Sequence, residues 1–128
     1  MLEKFFLSLL LRLPEEISHN IAIFLLKCNL VPTKKIVIKS ITKIKFLNFK
    51  LTHPVGLAAG FDKNAEALPG LLKQNFSFIE IGTVTPLPQI GNSKPRVFRV
   101  PEEKSIINKL GFPNLGASKI FNNLCKIR

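Results

Sequence analysis

The stretch from Val55 to Thr83 constrains the fold of this chain more than any other. It opens with a run of small apolar residues, Val55–Ala59, that ends at Gly60. A turn follows, Phe61-Asp62-Lys63-Asn64-Ala65-Glu66, and then a short helical stretch from Leu68 to Lys73. Pro69 is compatible with that helix in its opening turn, where no backbone donor is lost. Phe76–Thr83 (Phe-Ser-Phe-Ile-Glu-Ile-Gly-Thr) reads as a second buried strand, like Val55–Ala59 before it. Strand, helix and strand within roughly 30 residues make a βαβ unit. That unit requires parallel strands and a right-handed crossover, which places the chain in the α/β class.

The flanks are less committed. Residues 2–13 read as one helix. Pro14 suits the first turn of a second, where Glu15 and Glu16 favour the helix N-terminus. Ile17, Ile21, Phe24, Leu25 and Cys28 form a stripe at helical spacing, Ala22, Ile23 and Leu26 add apolar surface elsewhere, and Asn29–Pro32 breaks the pattern. A helix apolar on nearly every side must be covered. Periodicity alone allows either the core helices of a bundle or an anchor on a membrane surface. Ile36, Val37, Ile38 and Ile41 suggest extended chain, and Lys45–Thr52 suggests a hairpin arm or short strands. Val84–Ile107 carries Pro86, Pro88, Gly91, Pro95 and Pro101, a loop long enough to shape a site. A final helix is expected over Ala117–Cys125.

Charge narrows the partners. Lys and Arg number 19 against 8 Asp and Glu, a net charge of +11. From Ile17 to Phe61 there is no acidic residue but seven lysines: Lys27, Lys34, Lys35, Lys39, Lys43, Lys45 and Lys50. Nucleic acid, an anionic membrane, a missing protein partner or plain solvation would each account for that bias. A hydrophobic content of 46% excludes a disordered tail. Cys28 and Cys125 show neither metal-ligand spacing nor a disulfide framework, so no metal is assigned and a reducing compartment is expected. The apolar runs fall short of the ~18 residues a spanning helix needs. Phe5–Leu11 imitates a signal peptide, but Arg12 closes it with no cleavage site following, so the start reads as mature protein.

In parallel α/β folds, sites form at the carboxyl ends of the strands. Here those ends are Ala58-Ala59-Gly60-Phe61-Asp62-Lys63 and Ile81-Gly82-Thr83. Small residues there let a flat ligand lie against the backbone, with Lys63 supplying charge and Thr83 a hydroxyl. Tight strand–helix packing would favour the same residues.

Four stretches together resemble the quinone-dependent (class 2) dihydroorotate dehydrogenases. They are Gly56-Leu-Ala-Ala-Gly-Phe-Asp-Lys63, Phe78-Ile-Glu-Ile-Gly-Thr-Val-Thr-Pro86, Gly91-Asn-Ser-Lys-Pro-Arg-Val-Phe-Arg99 and Ile106-Ile-Asn-Lys-Leu-Gly-Phe112. Leu13-Pro-Glu-Glu-Ile-Ser-His19 also looks like that family's helical N-terminus. The resemblance implies the N-terminal part of a (β/α)8 barrel, residues 36–128, preceded by a two-helix membrane-associated lid, residues 1–35. It implies an FMN enzyme that oxidises dihydroorotate to orotate in pyrimidine synthesis and passes the electrons to a membrane quinone. By motif, Ala59, Gly60, Phe61, Asp62, Lys63 and Thr83 would touch FMN. Lys63 would also meet the substrate carboxylate, and Asn108, Lys109, Leu110, Gly111 and Phe112 would hold the pyrimidine. His19 and Arg99 match positions facing the quinone head. The lysines beside the helices then suit anionic headgroups, and nucleic acid is set aside because no base-stacking platform accompanies the charge.

Three departures bear on the site: Leu87 replaces a basic residue, Lys109 replaces Arg, and Pro113 stands where the family has Asn. A (β/α)8 barrel takes about 250 residues, whereas this sequence runs to Arg128. The family's catalytic serine has no counterpart here, because Ser105 and Ser118 lie outside its motif. That serine base is expected beyond Arg128, so no catalytic residue is assigned. The expectation is an N-terminal fragment or truncated gene product, inactive alone. It would sit peripherally on the cytoplasmic face of a bacterial inner membrane, or alternatively on the mitochondrial inner membrane. A non-catalytic basic membrane-surface protein and one part of a split enzyme are the alternatives.

Overall fold

The structure, a computed structural model, describes residues 2–33 and 42–127. It opens with a helical hairpin, α1 (Leu2–Arg12) and α2 (Glu15–Lys27). Pro14 is not inside the second helix, as the sequence suggested, but just ahead of it at φ −51 and ψ 144. That extended ψ turns the chain between the two helices, and the Ser18 hydroxyl ties the elbow by donating to Leu10 O at 2.6 Å. Asn29, at φ 55, takes the left-handed conformation that ends α2, and Leu30 N–H donates to Leu25 O at 2.9 Å. The extended reading of Ile36–Ile38 and Ile41, the lysines Lys34, Lys35 and Lys39, and the boundary at 35/36 lie outside the described residues. So does Arg128, the position beyond which the serine base is expected.

The hairpin expected over Lys45–Thr52 is present as β1 (Ile44–Phe46) antiparallel to β2 (Phe49–Leu51). Beyond it the two apolar runs lie side by side and parallel. Ser77 N–H donates to Val55 O at 3.0 Å, Leu57 N–H to Phe78 O at 3.0 Å and Glu80 N–H to Leu57 O at 2.8 Å. Between the runs sits the short α3 (Leu68–Leu71), with Pro69 in its first turn. The expected strands are reduced to one parallel bridge, Leu57 to Ile79, and neither run is buried: Val55 is 60% exposed and Phe78 43%. Parallel strands need cover on both faces, and among the described residues only α2 and α3 supply any. On that covered side Leu26, Ala67 and Leu71 form the buried core, with Ile23, Leu57, Phe61, Phe76 and Ile79 packed on it.

The proline-rich stretch is also more ordered than a loop. It ends in an antiparallel hairpin, β3 (Val97–Val100) and β4 (Ser105–Asn108), turned by Pro101–Glu103 and by Lys104 at φ 48. The prolines flank β3 and leave its pairing N–H groups intact, which is why they do not prevent the strand. The last helix, α4 (Ala117–Cys125), buries Ile120.

Candidate functional site

A cleft of about 670 Å³ lies between the helical hairpin, the Gly60–Asn64 turn, β3–β4 and the segment after β4. It gathers His19, Gly60, Phe61, Asp62, Lys63, Arg99, Asn108 and Leu110. Of the remaining expected residues, Ala59, Thr83, Lys109, Gly111 and Phe112 stand outside its lining. Phe112 is 64% exposed, and the Lys109 ammonium lies 6.0 Å from the centroid of the Phe98 ring.

Asp62 borders the cleft but serves the fold. It is 1% exposed, and its Oδ1 and Oδ2 accept from the N–H groups of Glu66 (2.9 Å) and Ala67 (2.8 Å). These charge-assisted bonds hold the turn leading into α3. Asp62→Ala would leave both donors without a side-chain acceptor, one of them deep in the core. The expected cost is about 2–4 kcal/mol, read as a lowered urea midpoint, with Asp62→Asn costing less because one acceptor remains.

Lys63 brings a cation to the cleft beside the Gly60 turn. Its Nζ donates to Gly60 O at 2.6 Å, and no carboxylate reaches it among the described residues. Burial, followed by the nearby Arg96 charge, pulls its pKa below the ordinary lysine value, with Glu16 and Asp62 opposing. An anionic ligand would relieve both effects. The Gly60 backbone beside it has φ +109, and a Cβ there would meet nothing within 4 Å. That open space above the strand end suits a flat ring lying against the backbone.

His19 reaches the cleft from α2 and meets Phe61 edge-on, with centroids 5.2 Å apart and planes at 80°. Burial, then the Lys63 charge, lowers its pKa, against smaller opposing contributions from Asp62 and Glu16. The imidazole is therefore neutral near pH 7. Because its folded pKa lies below the unfolded one, its contribution to stability is present above about pH 6.5 and is lost as pH falls toward the folded value. Thermal midpoints between pH 7.5 and 5.5 are expected to fall, and His19→Phe, which keeps the aromatic contact, should flatten that slope.

Arg96 and Arg99 stitch the hairpin to β3. Arg99 Nη1 donates to Leu13 O (2.7 Å) and Leu11 O (3.0 Å), the free carbonyls at the end of α1. Its N–H donates to Glu15 Oε1 at 3.3 Å. Arg96 Nε donates to Glu16 Oε1 at 2.9 Å, and Lys94 Nζ lies 3.4 Å from Glu16 Oε2. Partial burial opposes ionisation of Glu16, but Arg96 and Lys94 outweigh it and hold the carboxyl below the ordinary range. The Glu15 carboxyl is lowered too, by its own N–H and by that of Arg99.

Sequence reasoning missed the Arg96–Glu16 pair, which joins residues far apart in the chain, and it missed two asparagines. Asn114, 5% exposed, accepts at Oδ1 from Gly116 N–H (2.9 Å) and donates from Nδ2 to Phe112 O (2.9 Å) and Thr85 Oγ1 (2.9 Å). Asn64 Oδ1 accepts from Leu115 N–H at 3.0 Å. A lone loop asparagine carries no periodic signal. The closeness of Asn114 to the Asn108–Phe112 motif was the available hint.

Comparison with known proteins places these motifs. The dihydroorotate dehydrogenase family model matches residues 41–128. The mouse protein described as dihydroorotate dehydrogenase (quinone), mitochondrial, is 42% identical over 112 residues, covering 88% of this chain and 28% of that one. The quinone enzyme of Buchnera aphidicola is 45% identical over 122 residues, covering 93% of this chain and 36% of its own. The crystal structure of the Eimeria tenella enzyme with ferulenol superposes with a TM-score of 0.83 at 38% identity, covering 88% of this chain and 30% of that one. The chain thus spans about a third or less of the relatives it matches.

Proposed function

Because the chain belongs to the dihydroorotate dehydrogenase family, we propose that it forms the lid and first βα units of a quinone-dependent enzyme oxidising dihydroorotate to orotate. The observation that carries this reading is the convergence of His19, Lys63, Arg99 and Asn108, from four separate stretches, on one cleft. The open space over Gly60 beside a half-buried cation is what a flavin requires of its cradle, so the residues present fit FMN. Ala59, Gly60, Phe61, Asp62, Lys63 and Thr83 would hold it, Asp62 by fixing the turn. When bound, FMN would accept hydride from the substrate and yield the electrons to quinone. Lys63 neutralises the substrate carboxylate. The Asn108 side chain reads amide edges of the pyrimidine and Leu110 lies beside it, while Lys109, Gly111 and Phe112, outside the cleft lining here, would close around it only by turning inward. His19 and Arg99 stand beside the quinone oxygens, which gain negative charge on reduction. The proton-abstracting base would come from the part of the relatives that lies beyond the position matching Arg128, which this chain does not span.

The hairpin exposes Leu7 (57%), Leu11 (56%) and Phe24 (60%). No helix among the described residues is long and apolar enough to cross a membrane. An interfacial hairpin with lysines toward anionic headgroups is the arrangement this surface supports. The test is a chimera in which these residues replace the matching segment of the Buchnera relative. The expected product is a yellow protein that dihydroorotate bleaches and a quinone restores. A folded chimera that binds no flavin would sink the reading.

A further inference from the structure

The guanidinium of Arg96, just ahead of β3, ties α2 to the turn at residues 90–92, and its backbone holds the exit of β4. Its Nε donates to Glu16 Oε1 at 2.9 Å, and its Nη1 donates to Ile90 O at 2.8 Å and Asn92 O at 3.0 Å. Its carbonyl accepts from Lys109 N–H at 2.9 Å. The turn is bound to that same exit: Asn92 N–H donates to Leu110 O at 3.0 Å, and Asn92 Nδ2 to Lys109 O at 2.7 Å. A Cβ on Gly91, at φ +77, would overlap Leu110 O and crowd Arg96 Nη1, so the turn is pressed between the two. Lys109 stands between Asn108 and Leu110, the two residues of the pyrimidine motif that line the cleft.

Neutralising Glu16 does not by itself call for Arg96, because Lys94 Nζ already lies 3.4 Å from the other carboxylate oxygen. What Arg96 adds is geometry. Its side chain is 12% exposed, against 64% for Lys94, and a planar fork of donors fixes its acceptors relative to one another where an ammonium cannot. Among the described residues, α2 makes no hydrogen bond of its own to residues 90–92 or 109–110, so Arg96 is its hydrogen-bonded link to them. Resting on the reading that residues 108–112 hold the pyrimidine, we infer that Arg96 is a positioning residue for the substrate. Through Glu16 it makes the placement of Asn108 and Leu110 depend on the docking of the hairpin. Coupling of this kind is reciprocal, so a substrate that fixes residues 108–112 also holds the hairpin down.

Hydrogen exchange followed by mass spectrometry on the full chain, without ligand, reads the tie directly. Glu16→Ala is the remote probe, because Glu16 bonds to neither residues 90–92 nor residues 109–110. It is expected to speed exchange of the Asn92 and Lys109 amides about tenfold, the worth of one charge-assisted hydrogen bond. Arg96→Lys, which keeps the charge and loses the fork, should speed them at least as much. Lys94→Ala, which removes the other cation beside Glu16, should leave both amides within about twofold of wild type. If circular dichroism shows Glu16→Ala unfolded, Glu16→Gln carries the comparison. Amides at 92 and 109 that ignore a folded Glu16 variant would overturn the coupling. Acceleration shared equally by the Leu57 and Glu80 amides, which pair the two parallel runs, would mean general loosening and would overturn it as well. In the chimera, Arg96→Lys should raise the dihydroorotate KM about tenfold with kcat little changed. An unchanged KM in a variant whose two amides exchange faster would overturn the substrate reading of residues 108–112, while the mechanical tie stands.

Discussion

Gly70→Ala is expected to loosen the packing of the hairpin on the rest of the chain. A Cβ built on Gly70 would overlap Leu26 O, C and Cα, backbone atoms in the last turn of α2. A flexible side chain would move aside cheaply. A helical backbone cannot, so α2 and α3 must separate and uncover the buried cluster of Leu26, Ala67 and Leu71. Overpacking of this kind costs about 3 kcal/mol or somewhat more, while alanine in place of glycine returns about 1 kcal/mol of helix propensity. The net loss, about 2 kcal/mol, is a large share of the stability of a small domain. Urea unfolding followed by circular dichroism should show a lowered midpoint, with Lys73→Ala, an exposed position nearby, close to wild type. A Gly70→Ala midpoint at or above wild type would mean that helix propensity outweighs the contact.

Lys63→Met is expected to have the largest effect on binding. The side chain keeps its apolar stem and loses the one cation at the Gly60 turn that has no carboxylate partner among the described residues. Hydrogen bonds to charged groups are worth about 1.5–3 kcal/mol, which is roughly 10- to 150-fold in affinity. In the chimera, orotate and flavin should therefore bind one to two orders of magnitude more weakly, while the thermal midpoint without ligand holds or rises. The midpoint should not fall, because a half-buried cation is itself unfavourable, as its lowered pKa records. Lys63→Arg restores the charge but not the compact ammonium, so partial recovery is expected. Loss of stability with unchanged binding would make Lys63 a structural residue.

Much of the local structure was legible because it depends on nearest neighbours. The Pro-Glu-Glu start, the apolar stripe and Asn29 locate α2, and Leu47-Asn48 between Phe46 and Phe49 allow the β1–β2 turn. The order of two apolar runs around α3 was readable too, although the runs form a single parallel bridge, Leu57 to Ile79, rather than regular strands. The β3–β4 hairpin was not, since prolines mask a strand whose N–H groups they happen to spare. Nor were the side-chain duties of the two arginines, which depend on where α1 ends in space.

The sequence by itself determined the α/β class and, to within a residue or two, the extent of the helices, because periodicity, capping and turn chemistry act over a few positions. The tertiary structure alone decided which faces are covered and which polar groups meet. It left the parallel pair open on one side among the described residues, and placed Glu16 against Arg96 and Arg99 against the α1 carbonyls. Those outcomes turn on the three-dimensional approach of distant segments, which no spacing along the chain encodes.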